Sequence, residues 1–188
     1  MYPTLHLFEI SFRNAIDWSL RKKVGETWLT DKGLFLANEA DKIEAAVKSI
    51  KDRGREATHA RIVAELTLGF WTALFSVPYE HSIVRPILGN GLKKVPDEHK
   101  NRSSIAGRLK RIRELRNRTF HFEPIWNRAD LHGDYLLVKT TCEWINPIQC
   151  RLLLGSCRFV GTYRRGWKPI VSELEAMMRK ELEISVVE

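Results

Sequence analysis

Cysteine is scarce and unpaired in this chain. Its three residues, Cys142, Cys150 and Cys157, are odd in number and form no C-x-x-C pair, which argues against a disulfide framework and a structural zinc site. They read as small buried hydrophobes in a reducing cytosol. No apolar run reaches the roughly 18–20 residues that a membrane span requires, so no membrane partner is expected and the expected location is cytoplasmic. The opening MYPTLHLFEISFRNAI carries Glu9 inside its apolar stretch and has no basic leader, unlike a signal peptide. There is no internal repeat, no low-complexity tract and no long linker. Sustained alternation is missing as well; residues 135–141 could be extended, but a lone strand has nothing to pair with. His59, His81, His99 and His132 show no metal-ligand spacing, so neither a metal nor another cofactor is expected.

What the chain has is helical periodicity and positive charge. Its 188 residues suffice for one domain spanning 1–188, and the net charge is +8. The excess is concentrated: residues 93–118 hold ten Lys or Arg, beginning at Lys93, against Asp97, Glu98 and Glu114, so this stretch supplies +7 of the +8. That points to a polyanionic partner, with a solvated helix face as the plainer alternative. Phe8, Phe12, Ala15, Ile16 and Leu20 give helical spacing over 4–23, with Gly25 as a stop. Asn38 can cap a second helix with the stripe Ile43, Ala46, Val47 and Ile50, and Thr58 a third that runs to Pro78. The third is apolar almost all round (LTLGFWTALF), which predicts the central, most buried helix, and its Gly69 suggests a close crossing. The Pro- and Gly-rich stretch 77–100 reads as a loop. A fourth helix over 104–121 follows, then helical pieces over 128–146 and 148–160 and a last one from Trp167 to about 182. The expected fold class is all-α, a helical bundle with peripheral C-terminal helices.

On the fourth helix Ile105, Leu109 and Ile112 form one stripe, and at about 100° per residue the next positions on it are Arg116 and Phe120. An arginine on an apolar face needs a partner, because burying a guanidinium unpaired costs several kcal/mol. It either holds a buried carboxylate or lines a cleft or interface where an anion binds. Asn117 follows it, and His121 lies near the helix end because Pro124 disfavours helix at Glu123. Helix C-termini favour a charged imidazole, and histidine exchanges protons near neutrality.

The segment RELRNRTFHFEPIW resembles the signature of the HEPN superfamily of helical ribonucleases: Arg, often a polar residue, then His after four to six intervening residues. Arg116, Asn117 and His121 match it with four. Roughly two such spacings are expected by chance, and the second, Arg53 to His59, crosses Gly54 and a probable cap at Thr58. It is the decoy. The N-terminal LFEISFRNAIDWSL and central RIVAELTLGFWTALFSVPYE are similar to the Abi-like (abortive infection) branch, so the resemblance covers about the first two-thirds of the chain.

The resemblance implies a HEPN-like four-helix core and metal-independent RNA cleavage by a toxin that halts growth or phage propagation. His121 would be general base or acid, Arg116 the bidentate phosphate clamp, and Asn117 an orienting residue. Arg108, Arg111, Arg113 and Arg118 would meet RNA. The family pairs two protomers so that one cleft holds two Arg and two His, which would place the Arg116 stripe at a homodimer seam; an antitoxin or other defence protein is a further partner. One branch continues the motif to a Tyr two residues after the His. Glu123 stands there instead, and could steer His121. Arg13 and Asn14 repeat the Arg-Asn pair on the first helix and belong to the resemblance, with capping or pairing inside the bundle as the plainer role. The six tryptophans, Trp18, Trp28, Trp71, Trp126, Trp144 and Trp167, can stack on bases. Most read as core or interface anchors; Trp126, close after His121, is the one to watch. The alternative function is a non-catalytic HEPN-like domain that binds RNA or acts as a scaffold in a defence system.

Overall fold

The first helix carries two sets of side chains that leave water. In the computed structural model, which describes residues 1–31, 33–92, 94–166 and 168–185, it is α1 (Tyr2–Lys23), with Pro3 in its first turn where the missing N–H is harmless. Leu5, Phe8, Phe12, Ile16 and Leu20 form its apolar stripe and are all buried. Thr4, Ser11 and Ser19, small and buried too, lie within and beside that stripe. These let neighbouring backbones approach. Gly91, just after α5 (Arg85–Asn90), sits where an added Cβ would stand 2.6 Å from the Ala15 carbonyl oxygen.

α1 is therefore the axis of the bundle. It packs against α4 (Leu68–Ala73), α5, α6 (Arg102–Phe120), α7 (Leu131–Ile145) and α8 (Pro147–Ser156). The chain is all-α, 76% helical, with ten α-helices and no strand among the described residues. None of the helices described is long and apolar enough to cross a membrane.

The apolar stretch after Thr58 is not one central helix. α3 (His59–Glu65) stops at Leu66, whose backbone is extended, and α4 starts again after Thr67. The break lets Leu68, Phe70, Trp71, Leu74 and Phe75 reach the core together, and the Trp71 indole donates to the Leu66 carbonyl at 3.1 Å. Gly69 marks no close crossing: a Cβ there would meet only the Thr67 hydroxyl, at 3.5 Å. Asn38 lies inside the first turn of α2 (Ala37–Asp52), two positions past the N-cap Leu36, and Ile43, Ala46 and Ile50 face inward as expected.

Nor is 77–100 a loop. It holds 3₁₀ turns at Val77–Tyr79 and Asp97–His99, a π turn at Glu80–Val84, and α5; Tyr79, Ile83, Val84, Ile87, Leu88, Leu92 and Val95 are buried. Pro78 and Pro86 stand in first turns, where the ring fits a helix, and Pro96 directly precedes the last 3₁₀ turn. Residues 135–141 belong to α7. Asp130 and Asn146 cap α7 and α8 through their side-chain oxygens. The C-terminal pieces continue as α9 (Phe159–Arg165) and α10 (Lys168–Ser185). Lys93 and Trp167 lie outside the described residues. Cys142 and Cys150 are buried and unbonded, and burial pushes the Cys142 thiol up to about 12; Cys157 is only half-buried.

The two glycines give opposite expectations. Gly91→Ala drives a methyl into the α1 backbone and should cost about 1–3 kcal/mol. Gly69→Ala should be neutral or stabilising by up to about 1 kcal/mol. Thermal unfolding of both variants reads this directly.

Candidate functional site at the end of α6

Asn101 starts α6 by accepting the Ser104 N–H at 2.8 Å, and the helix buries Ile105, Leu109, Ile112, Leu115 and Thr119. The stripe thus veers to Leu115 and Thr119 and leaves Arg116 and Phe120 on its rim, half-buried. Positions 115 and 116 lie on either side of the line through Ile112, and the apolar residue takes the interior.

Arg116 has its partner inside the chain. Its Nε donates to Glu9 Oε2 at 3.1 Å and its Nη2 to Glu9 Oε1 at 3.5 Å, with the two side chains 25% and 18% exposed. The guanidinium lies 4.5 Å over the Phe120 ring. Phe120 rests against Tyr2 at 4.9 Å, and the Tyr2 hydroxyl donates to the Thr119 carbonyl at 2.6 Å. Tyr2 and Glu9, seven residues apart on α1, therefore fix the last turns of α6. Glu9 was visible in the sequence as an acid inside an apolar stretch, but nothing local assigned it to Arg116.

His121 and Asn117 lie elsewhere on the helix. His121 is the C-cap, exposed, and its imidazole has no hydrogen-bond partner among the described residues. Asn117 is exposed one turn earlier. They continue an outward stripe through Ser103, Gly107, Lys110 and Glu114 that no neighbouring helix covers. Arg116 and His121 are five positions apart, about 140° around the helix axis. Within one chain the imidazole and the guanidinium diverge.

α6 ends on an unusual stop. The Phe122 N–H donates to the Thr119 carbonyl at 3.4 Å and the Glu123 N–H to the Arg118 carbonyl at 2.9 Å, the pair of hydrogen bonds that usually closes on a glycine. Here the left-handed position is Phe122, with φ +58° and 88% of its surface exposed. For a bulky residue that conformation costs on the order of 1 kcal/mol. Arg118 braces the turn, donating to the Pro124 carbonyl at 2.9 Å and standing 3.3 Å from Glu123. Glu123 is thereby engaged by Arg118 and not by His121.

The arginines of α6 do not share one free face. Arg108 stacks 4.1 Å over Trp144 and reaches the Leu137 carbonyl and the Thr141 hydroxyl, each at 3.4 Å, and burial lowers its pKa. Arg113 donates to Thr72 at 3.4 Å. Arg111 holds Asp130 at 2.8 Å and Asp134 at 2.5 Å; Asp134 is 2% exposed and also takes Arg128 at 2.5 Å. Hydrogen bonding to these two carboxylates raises the Arg111 pKa, and Arg111 in turn lowers that of Asp130. Between α6 and the 127–134 segment this leaves a cleft of about 420 Å³, lined by Arg111, Arg118, Asn127, Arg128, Asp130 and Asp134.

The other singled-out residues are apart from this site. Arg13 donates to the Ala64 carbonyl at 3.4 Å, with its Nε buried and unpartnered among the described residues. Asn14 lines a separate polar cleft with Trp18, Asn90, Asn146 and Gln149. In the decoy, Arg53 pairs with Glu65 while His59 binds Asp17 at 2.6 Å, and the Trp28 indole donates to the same Asp17 oxygen at 2.9 Å. An apolar cleft between 29–35 and α2 contains none of the motif residues. Among the described residues no group of His, Cys, Asp or Glu converges as a metal site.

The Glu9–Arg116 fork should be measurable as a coupling. Glu9→Gln leaves a half-buried guanidinium short of its charge partner, and a double-mutant cycle with Arg116→Met, followed by urea denaturation, should return about 1–2 kcal/mol of interaction.

Compared with protein-family models, with curated proteins and with solved structures, the chain matches none of them.

Proposed function

We propose that the chain is a metal-independent endoribonuclease in which His121 transfers protons and Arg116 clamps phosphate, in a cleft completed by a second copy. One observation supports this above the rest. His121 caps α6 with an open imidazole, Asn117 lies one turn below on the same uncovered stripe, and the strongest basic segment of the chain leads up to them.

Ribose carries its own nucleophile, so the chemistry asks little of the protein. One His121 takes the proton of the 2′-hydroxyl as its oxygen attacks phosphorus; the bond from phosphorus to the 5′-oxygen breaks, and an acid returns a proton to that oxygen. Arg116 neutralises the crowded phosphorane. Glu9 occupies the Nε and Nη2 edge of the guanidinium, leaving the Nη1 edge to donate to a phosphate. Since Arg116 and His121 of one chain diverge by about 140°, the working pair is the arginine of one copy and the histidine of the other. The copies would meet at the C-terminal end of α6, where the exposed His121 and the rim that carries Arg116 are both within reach of a second chain. A toxin acting in bacterial abortive infection, in the cytoplasm and held by an antitoxin, is the setting this reading implies.

A second reading has its own support. Arg108, Arg111 and Arg113 are spent on partners inside the chain and Arg116 on Glu9, which suits a non-catalytic scaffold or RNA-holding domain whose charge is largely structural.

RNA incubated with the protein in EDTA separates the two. Cleavage should leave a 2′,3′-cyclic phosphate and a 5′-hydroxyl, and DNA of the same sequence should survive. His121→Ala should lose roughly 10²-fold or more in rate while keeping its fold. His59→Ala should melt earlier, having released Asp17, yet cleave as well as wild type at a temperature where it is folded. Undiminished cleavage by His121→Ala, or metal-dependent products ending in 5′-phosphate, would put the scaffold reading first.

A further inference from the structure

Two large aromatic side chains stand in water on the turn that follows His121. Phe122 is 88% exposed and Trp126 79%, whereas Trp28, Trp71 and Trp144 are buried. Phe122 is also held at φ +58°, where glycine would close the helix without strain. The fold therefore gains neither packing nor ease of closure from a phenyl ring at this position. Strain kept at an exposed position is a reason to look for what the side chain meets when bound.

The surroundings select the occupant. Arg118 braces this turn from beneath, and on its other side lies the cleft with Arg111, Asn127 and Arg128. The nearby carboxylates are already engaged: Glu123 by Arg118, Asp130 by Arg111, and Asp134 by Arg111 and Arg128. A flat apolar face beside guanidiniums that keep N–H groups outside their ion pairs fits a nucleotide, whose base stacks while its phosphate accepts from those N–H groups. Only an unpaired base can offer its face to a side chain in this way; in an A-form duplex the faces are covered by neighbours.

Resting on the RNA reading above, we infer that Phe122 and Trp126 form a stacking platform for unpaired bases next to the cleaved bond. The phosphate beside those bases sits in the Arg118–Arg128 cleft, so the substrate is RNA that is single-stranded at the cut.

The test uses the full chain with a 12-nucleotide single strand carrying 2′-O-methyl groups, which binds without being cleaved, and a duplex of the same sequence. The wild type should bind the single strand more tightly than the duplex, with quenching of tryptophan emission. Phe122→Gly should hold or raise the melting temperature yet weaken single-strand binding roughly tenfold, with the salt dependence unchanged because no phosphate contact is lost. Trp126→Ala should lose a similar factor. Trp126→Phe should keep the affinity and lose the quenching. Wild-type affinity in both Phe122→Gly and Trp126→Ala would overturn the platform. So would a duplex bound as tightly and weakened as much, or loss of self-association in these variants with RNA affinity intact, which would make the aromatics a subunit contact. Because the probe cannot be cut, failure of the platform and failure of the His121 chemistry are read separately.

Discussion

The burial of one broad face of α1 is the constraint from which the rest of the architecture follows. A helix that hides Leu5, Phe8, Phe12, Ile16 and Leu20 together with Thr4, Ser11 and Ser19 buries about half its circumference, and five other helices pack on it. Its small residues admit the close approach of Gly91, and its remaining surface carries Tyr2 and Glu9 to the end of α6. The position of Arg116 is thus decided by α1 as much as by the helix that bears it. A change on α1 far from the motif in sequence would disturb the guanidinium and the last turns of α6 together.

Much of this was legible in the sequence, and the failures have physical causes. Strong 3.6-residue periodicity marked α1, α2 and α6, because amphipathic helices write their buried face into local spacing. Thr58 to Pro78 misled because an unbroken apolar run looks like one buried helix; the break at Leu66 depends on the Trp71 indole finding the freed carbonyl, a contact that spacing cannot announce. In 77–100, prolines and glycines were read as loop residues, although Pro86 stands in the first turn of α5 and Gly91 follows its last. Within the candidate site, the need of Arg116 for a counter-charge was deducible from its stripe. Its partner was not, since Glu9 lies 107 residues away.

The same helix carries both a candidate chemistry and a set of structural ties, and composition cannot separate them. Ten basic residues in 93–118 suggested an open cationic surface. Arg108 over Trp144, Arg111 on Asp130 and Asp134, and Arg113 on Thr72 instead bind α6 to its neighbours. At the end of the helix Asn117 and His121 stand exposed beside Arg118, around a turn that displays Phe122. The outward stripe of α6 carries Lys110 against Glu114 and is close to neutral, so it offers little attraction to a polyanion along its length.

The central claim is that arginine and histidine act across two chains, and mixed subunits test it. Arg116→Lys chains and His121→Ala chains, each folded and each impaired alone, are combined one to one under conditions that exchange subunits. If Arg116 of one copy works with His121 of the other, each mixed dimer retains one intact pair, and cleavage should recover to about a quarter of wild type. Mixed dimers seen by native mass spectrometry without any recovery of cleavage would contradict the account.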